Sequence, residues 1–265
     1  MTDLEIALSA ARAAASVVRP TFGTAQSVDY KDDDSPVTSV DHMAEQALLA
    51  VLAAECPHDA IVAEESGVSG PDGGRRWFID PLDGTVNFIA AIPQVAVSVA
   101  LYDGSQPLVG VVLDVVTGEE FTAEKGNGAQ LNGAPMSVSQ QGDFEKAVVA
   151  TGFGYDHRQH AVEYTNVLAE VLKHVQGIRR FGSAALDLAW VATGRFDGFF
   201  ELVLAPWDIA AGLLLVTEAG GLATDWQGVG AGPGTKTLIA SNGRIHGQLS
   251  AAVVTQLPAR LKNSD

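Results

Sequence analysis

Four carboxylates at the ends of separate apolar runs carry the chemistry that this chain suggests. Glu64, the first of two acids in VAEES, ends a short strand, Asp80 closes RRWFID, Asp83 follows in DPLDGT, and Asp208 opens the apolar run of APWDIAAG. Taken singly, each has an ordinary explanation: a solvated acidic turn at Glu64, turn hydrogen bonds at Asp80 and Asp83, a helix N-cap at Asp208. Taken together they raise an electrostatic problem, because two like charges ~4 Å apart repel by about 4 kcal/mol at an effective dielectric near ~20. A cluster of such groups needs protons or cations. All-oxygen ligation without a cysteine or histidine cage suits a hard ion, Mg²⁺ above all, with Mn²⁺ or Ca²⁺ as competitors. Gly84-Thr85, next to the acids, brings main-chain amides that could cradle phosphate oxygens. The expected chemistry is hydrolysis at phosphorus, with Thr85 and Glu64 orienting and deprotonating the attacking water.

These side chains must be delivered by elements legible in the pattern. Residues 3–19 read as a helix with a Thr2/Glu5 capping box and Pro20 as its stop, and residues 41–55 as a second helix ended by Pro57. VDYKDDDSPVT between them reads as an acidic, exposed connection. Strands are expected at 60–64 and 77–80, with Pro81-Leu82 turning the chain so that Asp80 and Asp83 face one point. From Gln94 to Glu124, β-branched runs punctuated by Asp103-Gly104 and Thr117-Gly118 predict an antiparallel meander. Beyond Asp143 the rhythm alternates: helix 159–174, strand 178–181, helix 183–193, strand 196–204, helix 208–219. We expect two subdomains sharing a cleft, residues 1–142 (α+β) and 143–265 (α/β).

Composition narrows the function classes. Sixteen Lys and Arg against 32 Asp and Glu give a formal charge of −16, which repels a polyanion, so no nucleic-acid partner is expected. A lone cysteine, Cys56, and an acidic N-terminus fit a cytoplasmic location, and no apolar run approaches the roughly 20 residues of a membrane span. His157 and His160 in DHRQH come closest to zinc spacing and read as a surface loop. GFG at 152–154 and GNG at 126–128 lack the full dinucleotide spacing. Trp190, Phe199 and Phe200 read as core, Arg179-Arg180 as a phosphate grip, an interface pair or a solvated pair, and Glu201 as lying at a cleft mouth or on the solvent face.

EES at 64–66, DPLDGTVNF at 80–88 and WDIAAG at 207–212, in that order, resemble the inositol monophosphatase family of the magnesium-dependent, lithium-sensitive phosphatases that include fructose bisphosphatase. KDDDSPVTSVD, FTAEKGNGAQLNG and FGSAALDLAWVATGRFDGFFE extend the resemblance over nearly the whole chain. It implies a layered αβαβα sandwich, α+β to α/β in class, as a homodimer. Glu64, Asp80, the Leu82 carbonyl, Asp83 and Asp208 match its metal ligands, for two or three Mg²⁺ with Mn²⁺ as a substitute. Thr85 with Glu64 matches the water-activating pair, and Asp41 the acid that orients the threonine. Gly84 and Thr85 match the phosphate cradle; Gly182, Ser183, Ala184, Glu201 and Asp208 match contacts to the inositol hydroxyls; Lys31 matches a mobile lysine loop. The chain departs from the family pattern at Ala63, where glycine is usual, and at Ile89-Ala90-Ala91-Ile92-Pro93, where many members have Val-His-x-x-Pro. The implied activity is hydrolysis of myo-inositol monophosphate or a similar polyol phosphate. Histidinol phosphate, a sugar bisphosphate and a phosphoadenosine nucleotide are alternative substrates. Rivals of another class are a regulatory protein that keeps the fold and acts by binding, as some bacterial relatives do in transcription complexes, and a metal-storing module.

Overall fold

The computed structural model describes residues 1–24, 27–31, 35–71, and 74–263. In chain order the first half comprises α1 (Asp3–Thr21), β1 (Val28–Tyr30), β2 (Pro36–Thr38), α2 (Ser39–Glu55), β3 (Ala60–Ala63) and β4 (Gly67–Ser69). It continues with β5 (Arg75–Asp83), α3 (Thr85–Ile89), β6 (Ala96–Asp103), β7 (Gln106–Asp114), β8 (Glu120–Glu124), β9 (Gly128–Leu131) and β10 (Ala134–Met136). The second half comprises β11 (Val148–Thr151), α4 (His157–Leu172), β12 (Gly177–Arg179), α5 (Ala184–Ala192), β13 (Gly198–Leu202), α6 (Pro206–Glu218), β14 (Leu222–Thr224), β15 (Thr237–Ser241) and α7 (His246–Thr255).

Among the described residues, β3 to β10 form an eight-stranded sheet in the order β10-β9-β8-β7-β6-β5-β3-β4, and a five-stranded sheet runs β12-β11-β13-β15-β14. Strand alternation assigns each side chain to a layer. On β5, Trp77 and Ile79 pack with Ala7, Ala14 and Leu48 of α1 and α2, whereas Phe78 faces the opposite way, into the cluster built on α5 and α6. On β13, Phe199 points to α5 and α6, and Phe200 and Leu202 point to α4 and α7. The layers are therefore helices α1 and α2, the large sheet, helices α5 and α6, the small sheet, and helices α4 and α7. This is the αβαβα sandwich expected.

The β6–β7–β8 meander forms as read, with antiparallel pairing throughout. Three expectations need correction. Helix α1 carries the Thr2/Glu5 capping box but runs through Pro20 to Thr21, because a proline in the last turn removes only one donor and its fixed φ is already helical. Residues Ser35 to Thr38 are buried, with β2 pairing antiparallel to β1, although this stretch reads as exposed; Asp32, Asp33 and Asp34 lie outside the described residues. Pro81-Leu82 is not a turn that ends a strand. Strand β5 continues to Asp83, and its register against β6 moves from Asp80↔Ser98 to Asp83↔Ala96, three steps on one strand against two on the other.

That extra residue is a β-bulge, and it decides where the acids point. In a regular strand, side chains three apart face opposite sides. Here Leu82 packs into the α1–α2 cluster and Asp83 reaches α5, so Asp80 and Asp83 both face the middle helical layer. Proline at the bulge sits where a ladder donor is not needed.

Helices α5 and α6 cross so closely that a Cβ added at Gly212 would lie 2.6 Å from Leu188 Cβ. Tyr102 Oη donates to Ala210 O at 3.0 Å and Ser98 Oγ to Trp207 O at 3.1 Å, tying the start of α6 to β6. Among the described residues, no helix is long and apolar enough to cross a membrane. The Gly212→Ala substitution should lower unfolding free energy by about 1–3 kcal/mol despite alanine's better helix propensity. Urea denaturation checks this, and an unchanged midpoint would mean that the two helices can separate without loss.

Candidate active site

Glu64 follows the last residue of β3, Asp80 and Asp83 flank the bulge of β5, and Asp208 stands in the first turn of α6. The fold brings all four into one electrostatic neighbourhood. Asp80, 2% exposed, is raised well above the usual carboxylate range by burial and then by the charges of Glu64, Asp83 and Asp208, and it shares a hydrogen bond with Glu64. Burial raises Glu64 too, against the opposing pull of Lys31 and the hydrogen bond with Asp80. Asp208 is raised well above its ordinary value by burial and by Asp83, the Ala205 amide opposing. Asp83 is pushed up to about 6 by burial, held back by the Ser183 hydroxyl and the amides of Ala185 and Ala184.

Each acid is anchored by a donor of its own. Lys31 Nζ reaches Glu64 Oε1 at 2.9 Å and Glu65 Oε1 at 2.8 Å. Leu82 N donates to Asp80 Oδ1 at 2.9 Å. Ser183 Oγ and Ala185 N donate to Asp83 Oδ2 at 2.6 and 2.8 Å, so Asp83 caps α5 from another strand. Ala205 N donates to Asp208 Oδ2 at 2.7 Å, closing the first turn of α6. Among the described residues, no three His, Cys, Asp or Glu side chains close around a common point as ligands. Like charges with these separate anchors have reason to stand apart. The donor set still fits a hard divalent cation: acids on three elements repel one another in a buried setting, and an oxygen-only cation is the ligand that relieves it.

Thr85 begins α3, after Gly84 in the left-handed region at φ 97°. A Cβ at Gly84 would lie 2.7 Å from Gln94 O, so both conformation and space demand glycine here. Thr85 Oγ1 is 3.0 Å from Asp41 Oδ1 and 3.3 Å from Leu82 O, either of which can accept its single proton. Asp41, 1% exposed, is itself held by Thr38, whose amide and hydroxyl donate to Oδ2 at 2.9 and 2.6 Å. The charge of Asp41 acts on Glu64, so the threonine, its orienting acid and Glu64 are neighbours.

Gly182, Ser183 and Ala184 form the entry to α5, with Ser183 as its N-cap. Glu201, on β13, points to the same side as Phe199 and is buried, which excludes the solvent face. Burial lifts its carboxyl to about 8, opposed by Arg180. Arg180 lies over the Phe153 ring at 5.7 Å and against Gly182, where a Cβ would come within 2.6 Å of Nη1. Ala63 is buried in β3, and Ile89 at the end of α3 and residues 90–93 after it are exposed.

Several groups at the site have no role in the sequence reading. Asn87 Nδ2 donates to Gln94 O at 2.9 Å, Phe181 O at 2.7 Å and Gly182 O at 3.3 Å, holding the loop before α5 to α3. Glu45 Oε2 accepts from Glu65 N at 2.9 Å and fixes the turn after Glu64. Tyr155 is 45% exposed, yet partial burial and the charges of Glu64, Asp83, Asp208 and Asp80 raise its hydroxyl, so it overlooks the acids. Asn87 sits inside a motif already noticed, whereas Glu45 lies within the second helix and nothing in the sequence marks it or Tyr155.

Glu201 yields a stability test with a definite sign. Its folded value, about 8, is above its ordinary 4.5, so its contribution to stability is full below about pH 4.5 and is lost as pH rises to about 8. In protein freed of divalent ions, Glu201→Gln should therefore stabilise relative to wild type, and the gain in Tm should grow from pH 5 to pH 9. A gain that shrinks with pH would contradict this assignment.

The geometry can be set beside known proteins. The model of the inositol monophosphatase family matches residues 2–258. Nus factor SuhB of Escherichia coli strain K12 is 41% identical over 262 residues, 98% of either chain. Inositol-1-monophosphatase of a Synechocystis species is 39% identical over 254 residues, 95% of this chain and 88% of that one. Among solved structures, the extragenic suppressor protein suhB of Bartonella henselae superposes with a TM-score of 0.89 at 39% identity, covering 94% of this chain and 97% of that one. A match over nearly the full length, in sequence and in fold, makes this chain a member of the inositol monophosphatase family.

Proposed function

We propose that the chain is a Mg²⁺-dependent phosphomonoesterase acting on myo-inositol monophosphate or a similar polyol phosphate. The observation that carries this reading is the gathering of Glu64, Asp80, Asp83 and Asp208 beside an oriented Thr85. Glu64, Asp80, the Leu82 carbonyl, Asp83 and Asp208 would hold the divalent ions, with Mn²⁺ as a substitute. When bound, such ions supply positive charge that draws in the phosphate and stabilises the oxygens on which charge develops.

The chain's own groups have separate tasks. Asp41 accepts a hydrogen bond from the Thr85 hydroxyl, which leaves the hydroxyl oxygen free to accept one from the attacking water. Glu64, whose proton affinity burial raises, takes that water's proton. The amides that begin α3 have no partner within their own helix and suit phosphate oxygens. Glu201 and the Gly182–Ala184 entry to α5 suit substrate hydroxyls. Lys31, bonded to Glu64 and Glu65, must yield the Glu64 oxygen before that oxygen can serve a cation. The division at residues 142 and 143 belongs to the same proposal: the first part supplies Glu64, Asp80, Asp83 and Thr85, the second Ser183, Glu201 and Asp208. So do a homodimer and a cytoplasmic location.

A second reading is favoured by the relatives named Nus factor, 41% identical to this chain. In it the fold serves binding to a partner, with or without turnover. The two readings separate on Glu64→Gln, a better probe than an Asp83 variant because Asp83 also caps α5. Phosphate release from myo-inositol 1-phosphate should require Mg²⁺ and fall at least about a hundredfold in Glu64→Gln without loss of Tm. A wild type that releases no phosphate from any phosphomonoester favours the binding protein; a tenfold preference for histidinol phosphate overturns the substrate assignment.

A further inference from the structure

Helix α5 is lined with buried alanine and leucine, yet its first turn carries Asp187, 1% exposed. Among the described residues, Asp187 Oδ1 is the one enclosed carboxylate oxygen with no hydrogen-bond partner. An apolar residue would pack at this position without that cost, so the acid requires an explanation. Its position supplies one. Asp187 lies four residues after Ser183 and three after Ala184, on the same helix face as the entry to α5. Opposite it, Glu201 projects from β13 on the side of Phe199, which packs in the α5–α6 cluster. Gly152 leaves the room for Glu201, since any side-chain carbon there would overlap its carboxylate. The charges acting on Asp187 are those of Glu201, Asp83 and Arg180, so its carboxyl lies within their electrostatic reach.

We propose that Asp187 is a specificity-determining residue that, together with Glu201, receives the hydroxyls of a polyol phosphate, directly or through one held water. The inference rests on the polyol-phosphate reading above and adds the second acid of the hydroxyl pocket. A hydroxyl both donates and accepts, and the unpartnered Asp187 oxygen beside the Glu201 carboxyl matches it. Burial and the charge of Glu201 both favour the protonated form of Asp187, in which the carboxyl can donate as well as accept. A site built to bond a hydroxyl discriminates strongly against substrates that lack one.

The test compares myo-inositol 1-phosphate with p-nitrophenyl phosphate, whose leaving group has no aliphatic hydroxyls, in Mg²⁺-loaded full-length protein. Asp187→Leu should raise KM for the inositol phosphate about tenfold with kcat within about threefold, and should change kcat/KM for the nitrophenyl ester by less than about threefold. Asp187→Asn, which keeps a donor and an acceptor, should recover most of the KM. If Asp187→Leu fails to fold, Asp187→Ala gives the same comparison. Equal losses on the two substrates, or no loss on either, would overturn the inference while leaving the phosphatase reading intact. Wild-type protein that hydrolyses the nitrophenyl ester but not the inositol phosphate removes the polyol reading, and the inference with it.

Discussion

The mutual repulsion of Glu64, Asp80, Asp83 and Asp208 is the constraint around which the rest of the site is built. Burial alone would drive such groups to take up protons, and their proximity adds to that pressure. The fold tolerates the arrangement by giving each acid a fixed donor: the Lys31 ammonium, the Leu82 amide, the start of α5 and the Ala205 amide. Those donors come from different elements. Asp83 caps a helix from the other half of the chain, so the first turn of α5 and the bulge of β5 hold one another in place. The same contact sets Ser183 and Ala184 beside the acids.

Backbone geometry makes this possible at two points. The bulge between Asp80 and Asp83 puts two acids of opposite strand parity on one face. Directly after it, Gly84 takes a left-handed conformation against Gln94 O and starts α3 in the direction that sets Thr85 beside Asp41. Asn87, one turn on, spans from α3 to the carbonyls of Phe181 and Gly182. Nine consecutive residues from Asp80 to Phe88 thus reach the clustered acids, the oriented hydroxyl and the loop before α5.

Much of this could be read from the chain. Residue type and position at the ends of apolar runs marked the four acids, the meander followed from β-branched runs between turn dipeptides, and the layered fold followed from the family motifs. Other features lie beyond local pattern. Proline and two aspartates in DPLD are turn residues, and only pairing with β6 reveals a bulge. The small sheet sets β11 between β12 and β13, and β15 between β13 and β14, an order that no run of residues announces, and its strands β11, β14 and β15 and the helix α7 escape the pattern reading. Asn87 acts on carbonyls 94 and 95 residues away. Asp187 looks like any acid in a first helical turn until Glu201 is seen across from it. Asp41 was legible only through the resemblance, since a capping acid three residues after Thr38 is already explained by the helix it begins.

The acids also account for how a chain of formal charge −16 could take an anionic substrate: divalent ions would reverse the sign of the field at the one place where phosphate must approach. The central claim is that their repulsion is relieved by cations. It is tested most directly by calorimetric titration of metal-free protein with Mg²⁺ at pH 7 in two buffers of different ionisation enthalpy. The account predicts saturable binding accompanied by net proton release, because raised carboxyls must lose protons to become ligands, and marked weakening in Asp80→Asn. Absence of saturable binding, or binding whose heat is the same in both buffers, would contradict it.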